Sequence, residues 1–146
     1  MIVKELTEQE CIALLQASSL GHLACATDNQ PYVVPITFVF ADHHIYSFSM
    51  LGQKIEWMRK NPQVCLQVGD FKQGLGWKSV LVYGVYEELA DRIGSKRERD
   101  HAWSLLSKHA NWWEPGGLKP VPTAATEHVF FRIRIERLTG RQVFEE

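Results

Sequence analysis

Residues 31–60 read PYVVPITFVFADHHIYSFSMLGQKIEWMRK. A long apolar run is interrupted by the polar tip Asp42–His44, a second short run returns, and helical spacing begins near Leu51. This is the pattern of a hairpin that feeds directly into a short helix. The joint is Ser49-Met50-Leu51-Gly52-Gln53-Lys54. A helix start leaves backbone N–H groups unpaired, and these attract an anion. Ser49 is placed to cap them, and Lys54 brings a positive charge into the first turn. A lysine there opposes the helix dipole, a cost that a bound phosphate reverses. The joint is therefore the candidate anion site.

On either side of this stretch the chain continues in the same style. Thr7-Glu8-Gln9-Glu10 is a capping box that opens a helix with Cys11, Leu14, Leu15 and Ser18 along one face. The run HLACAT then forms a strand, and Asp28-Asn29-Gln30 turns it toward Pro31. Tyr32–Ala41 is nearly all apolar, so both of its faces need cover, one of them from a second subunit if not from this one. Pro35 lacks a ladder donor and marks an edge or a bulge. Leu51, Ile55 and Met58 form an apolar stripe with Trp57 beside it, and Asn61-Pro62 stops that helix. Val64, Leu66 and Val68 alternate against Cys65 and Gln67 in a half-buried strand. Trp77–Leu89 is the longest strand candidate, with Gly84 at a bend. Ser95 and Glu98 form a second capping box for a helix reaching about His109. Asn111–Pro122 carries the adjacent pair Trp112 and Trp113, expected to pack against a partner or a ligand. Val129, Phe131, Ile133 and Ile135 alternate with outward Phe130, Arg132, Arg134 and Glu136; Thr139-Gly140 then turns the chain into a last strand at Val143-Phe144.

The totals set the class. A chain of 146 residues with 45% apolar and 23% charged residues is expected to form one domain over residues 1–146. Six or seven short-linked strands with flanking helices predict a mainly β, antiparallel, small closed or nearly closed barrel. A formal charge of -1 without a basic cluster argues against nucleic acid. No run is long and apolar enough for a membrane helix, and the first residues lack a signal-peptide core, so a cytoplasmic protein is expected. Cys11, Cys25 and Cys65 are odd in number, widely spaced and set among apolar residues, which predicts buried, reduced thiols. His22 and Cys25, three apart on a strand, point to opposite faces and do not share a metal.

Three words in register, GHLACA-x(4)-PYVVPITFVF, IYSFSMLGQKIEWMRKNPQVCLQV and WKSVLVYG, carry a family likeness. The chain resembles the pyridoxamine 5'-phosphate oxidase-like flavoproteins of the split-barrel fold, nearest their nitroimidazole-resistance (Nim-type) branch. The resemblance implies an FMN-binding split β-barrel and a homodimer with FMN at the subunit interface. It further implies an oxidoreductase that moves electrons from a reduced nicotinamide to a small-molecule acceptor. Pro35, Ile36, Thr37 and Phe38 are implied at the flavin ring edge, Ser49, Gly52 and Lys54 at the phosphate, and Trp77 and Ser79 on a strand near the cofactor. Two positions depart from the family pattern. Phe48 stands where the Nim-type branch commonly has a histidine on the flavin side, and Gln53 stands where an arginine is usual. The alternatives are a barrel using F420 or haem, and a flavin-binding or sensing protein without turnover.

Overall fold

The computed structural model describes residues 1–72, 76–89, 96–107 and 128–144. The pair Trp112 and Trp113, the second capping box at Ser95 and His109 lie outside them. Along the chain run β1 (Ile2–Glu5), α1 (Glu8–Ala17), β2 (Leu20–Thr27), β3 (Gln30–Thr37), β4 (Val39–Ala41) and β5 (His44–Met50). These are followed by α2 (Gln53–Lys60), β6 (Gln63–Lys72), β7 (Gly76–Glu88), α3 (Lys96–Ser107) and β8 (His128–Phe144).

All strand pairings are antiparallel, in the order β3-β2-β6-β7-β8-β5-β4, with β1 on the tail of β8. The two ends of that order, β3 and β4, are neighbours in the chain, separated only by Phe38. One apolar run therefore pairs with β2 through its first half and with β5 through its second. The seam is fastened by Phe38 N–H donating to Ser19 O at 2.9 Å and Ser47 Oγ–H donating to Thr37 O at 2.7 Å. The sheet is thereby curled into a half-barrel whose two ends meet at Phe38. The single strand expected over Tyr32–Ala41 is thus two strands, and Pro35 falls on the half that pairs only with β2.

The expected short connections appear as two-residue hairpin turns. Asp28 and Asn29 have φ of 51° and 63°, and Asp42 and His43 have 53° and 59°. Paired positive φ values match the twist of antiparallel strands, and Asp and Asn tolerate them better than most residues.

Leu23, Leu66, Val68, Val80, Val82, Phe131 and Ile133 fill the barrel and are fully buried, as the alternation predicted for Leu66, Val68, Phe131 and Ile133. Helix α1 seals one end through Cys11 and Leu15, its capping box intact in both directions. Gly140 is where the helix touches the sheet, since a Cβ there would lie 2.7 Å from Cys11 Sγ. Helix α2 contributes Ile55 and Met58 to the same core. Leu51, expected in that stripe, is exposed and precedes the helix.

Two expectations change at β8. The chain does not turn at Thr139-Gly140; β8 runs through as one 17-residue strand, and its tail gains β1, which had no sequence signal beyond IVKE. The register against β7 shifts between Tyr83 and Gly84, so Tyr83 faces Arg137 while Gly84 faces Ile135. The extra residue is Glu136, and it reverses which side chains point outward. Before it, Arg132 and Arg134 face out; after it, Arg137, Thr139 and Arg141 do. Gly84 makes the bulge possible, because a Cβ there would lie 2.5 Å from Arg134 O.

Candidate functional site

The start of α2 has open donors. Its N-cap is Gly52, and no side chain caps it. Ser49, expected to do so, instead donates its Oγ–H to Met50 O at 2.9 Å, because Met50, Leu51 and Gly52 lie between it and the first helical turn. A Cβ at Gly52 would meet only Met50 O at 3.9 Å, so the space beside the open N–H groups is free. Lys54, half-buried in the first turn, has no ion-pair partner among the described residues. Burial pushes its ammonium below the ordinary lysine pKa. The far end of α2 is anchored: Arg59 makes two hydrogen bonds to Glu88, at 2.7 and 3.1 Å, and Tyr86 OH donates to the same carboxylate at 2.7 Å. Helix α2 thus presents an uncapped N-terminus and a cation with no ion-pair partner among the described residues. These groups fit a phosphate.

Phe48 and Ser49 lie on opposite faces of β5. Ser49 pairs with Val129 on the inward side, while Phe48 pairs with Phe130 on the outward side under α3. The Phe48 and Phe130 rings are 5.6 Å apart, Trp103 meets Phe130 edge-on at 6.0 Å, and the Arg99 guanidinium lies 5.0 Å from the Phe130 centroid. Helix α3 is held there by His101, whose Nε2 is 2.7 Å from Asp42 Oδ2.

The remaining expected residues divide by side. Ile36 and Phe38 point into the core, so only their backbone is available to a ligand. Pro35 and Thr37 point outward, as do Trp77 and Ser79 on β7. Register rows tie this outer face together. Pro35 pairs with His22, His22 with Gln67, Gln67 with Leu81 and Leu81 with Thr139. Gln67 bridges the row, with Oε1 3.3 Å from His22 Nδ1 and Nε2 donating to Ser79 Oγ at 3.1 Å. The face also carries exposed Leu20, Val33, Phe71 and Trp77.

Trp77 and Ser79 do not meet Ser49 within one chain. Ser49 pairs with Val129 at one end of β8, and Ser79 pairs with Arg141 near the other. The twelve-residue step from Val129 to Arg141 is roughly 40 Å along the strand at about 3.3 Å per residue.

No metal-binding group of His, Cys, Asp or Glu occurs among the described residues. One ring nitrogen each of His22, His44 and His101 (Nδ1, Nδ1 and Nε2) is engaged, by Gln67 Oε1, Asp42 O and Asp42 Oδ2 respectively. The cysteines are free; Cys11 and Cys25 are buried and Cys65 is half-buried, and burial raises each thiol pKa. No helix among the described residues is long and apolar enough to cross a membrane.

The family profile described as "Pyridoxamine 5'-phosphate oxidase" matches residues 7–142, from the α1 cap to the tail of β8. The chain belongs to this family. It is 50% identical over 144 residues to the uncharacterized protein RA0666 of Rhizobium meliloti (strain 1021), covering 97% of this chain and 95% of that one. Among solved structures, an FAD-binding protein of Mesorhizobium loti is 57% identical, with a TM-score of 0.82 over 98% of this chain and 99% of its own. A candidate 5-nitroimidazole antibiotic resistance protein of Bacteroides thetaiotaomicron shares the fold, with a TM-score of 0.73 at 18% identity over 97% and 89% of the two chains. The antiparallel barrel is the split-barrel fold of this family, as the sequence led us to expect.

Proposed function

We propose that the protein is an FMN-dependent oxidoreductase of the pyridoxamine 5'-phosphate oxidase family. In this reading it acts as a cytoplasmic homodimer with the flavin between subunits. Lys54 carries the reading. It is a half-buried cation with no partner among the described residues, beside an uncapped helix start, and a phosphate dianion would satisfy both. The open N–H groups at the start of α2 and the Lys54 ammonium bind the phosphate. Ser49 has an oxygen free to accept or a hydroxyl to redirect once an anion arrives. The outward Pro35 and Thr37, with the backbone of Ile36 and Phe38, orient the ring edge. Trp77 and Ser79 reach the same ligand only from a second copy, which is the structural support for a dimer. When bound, the flavin accepts a hydride equivalent and passes electrons on, so the protein supplies binding, orientation and water exclusion. No acid or base is required of the chain beside it.

A second form of the cofactor has its own support. The relative that is 57% identical is described as binding FAD, and Gln53 leaves one positive charge fewer than a dianionic terminal phosphate would favour. An internal phosphodiester of FAD carries less charge at that point. Denaturing the purified protein and separating the released flavin by chromatography decides between FMN and FAD. Anaerobic mixing with NADH or NADPH tests the enzyme: flavin bleaching followed by reoxidation with a quinone or nitro compound supports it. Absence of reduction by either nicotinamide leaves a binding or sensing protein.

A further inference from the structure

A groove of about 610 Å³ opens on the outer face where β1, β7 and the tail of β8 meet. Its walls include Trp77, Ser79, Tyr83, Thr139, Arg137 and Arg141, and its volume lies within the range of small-molecule sites. Arg137 is stacked on Tyr83, its guanidinium carbon 4.2 Å from the ring centroid, which fixes the cation while leaving its N–H edge free. Arg141 lies one outward step beyond Thr139 on the same strand. Neither arginine has an ion-pair or hydrogen-bond partner among the described residues. Glu5 also lines the groove and is the register partner of Arg141, yet it makes no ion pair with it. At the other end Trp77 is 36% exposed and Phe71 72% exposed, their rings 6.2 Å apart and tilted at 36°. Two guanidinium groups with no anionic partner among the described residues and a half-open aromatic wall sit along one face, and the arginine spacing of four strand residues is roughly 13 Å.

We infer that this groove is a binding site for a nucleoside diphosphate, with phosphates on Arg137 and Arg141 and the base against the Trp77 wall. Guanidinium forks match phosphate oxygens bidentately, and an indole face takes a planar base. The Glu5 carboxylate disfavours a bare phosphate cluster and leaves a ribose hydroxyl as its natural partner. The bulge at Glu136 creates the site, since without it Arg137 and Arg141 would face the core.

The same ADP chemistry has two sources in the function proposed above, the adenylate half of FAD or that of a nicotinamide dinucleotide. The groove itself does not depend on the flavin reading: a colourless protein that binds ADP would sink that reading and keep the groove. Calorimetric titration of the full-length protein, first stripped of any co-purifying flavin, with ADP is expected to show saturable binding, with adenosine at least tenfold weaker. Arg141→Ala and Arg137→Lys should each weaken ADP at least tenfold. If the source is FAD, Arg141→Ala shifts the flavin that co-purifies from FAD to FMN. If it is the electron donor, Arg141→Ala raises KM for the reduced nicotinamide and leaves the bound flavin intact. Absence of saturable ADP binding by the flavin-free wild-type protein overturns the inference, as does undiminished binding in both arginine variants.

Discussion

At the scale of single residues, Lys54 bears most of the proposed chemistry. Burial lowers its pKa, so the folded state holds its proton less tightly than the unfolded state does. Between its folded value and the ordinary lysine value of 10.5, the unfolded chain binds more protons, and stability rises with pH across that alkaline window. A bound phosphate favours the charged form and opposes this trend. Thermal melts of ligand-free protein should therefore gain stability toward the lysine range, and the gain should shrink when flavin is added or in Lys54→Met. Lys54→Ala should weaken flavin binding by about 1.5–3 kcal/mol, the cost of losing a charge-assisted partner, read from the Kd by absorbance titration. Phe48 is a contrasting case. It stands on the other face of β5 from Ser49, so Phe48→His should change the relative rates with quinone and nitro acceptors more than it changes flavin affinity.

At the scale of elements, helix α1 is stabilised by its reciprocal cap. The Thr7 backbone N–H, which donates to Glu10 at 3.1 Å, is the largest influence holding the Glu10 carboxyl below its ordinary value of 4.5. That contribution is present above 4.5 and is lost as pH falls through the lower folded value. Thr7→Ala is expected to cost about 1 kcal/mol in denaturant unfolding at neutral pH, and Glu10→Gln should make stability less sensitive to acid below 4.5. On β7, Gly84→Ala places a methyl against the Arg134 carbonyl and should cost about 1–3 kcal/mol as overpacking. Elements with a strong periodic signal were legible in advance: α1 from its cap, β6 and the first half of β8 from alternation, both hairpin turns from Asp and Asn. What escaped were features decided by distant partners. Phe38 divides the apolar run because β2 and β5 compete for its two halves, and nothing local to Tyr32–Ala41 marks that place. Thr139-Gly140 has turn composition but is held extended by β7 on one side and, on the other, by the Leu6 N–H just past β1, which donates to Gly140 O. Gly140 is needed there for helix packing rather than for turning.

At the scale of the whole molecule, the candidate site was partly visible in the sequence. The candidate anion joint was read from helix-start physics; the structure sets Gly52 and Lys54 at the uncapped start of α2, while Ser49 bonds to Met50 O instead of capping it. The arginine groove was hidden, because it depends on a one-residue bulge that reverses the alternation of β8 after Glu136. The signal available was the phase change itself, with apolar Leu138 and small Gly140 continuing out of step with Val129–Ile135. Ser49 and Ser79 lie toward opposite ends of β8, and in the proposed dimer a second copy brings them to one flavin. The most direct test of the central claim is gel filtration of the purified protein with absorbance followed in the flavin band and mass by light scattering. The account predicts a dimer eluting with one flavin per chain, and loss of that absorbance in Lys54→Ala without loss of the dimer. Colourless protein that neither FMN nor FAD can titrate would contradict it.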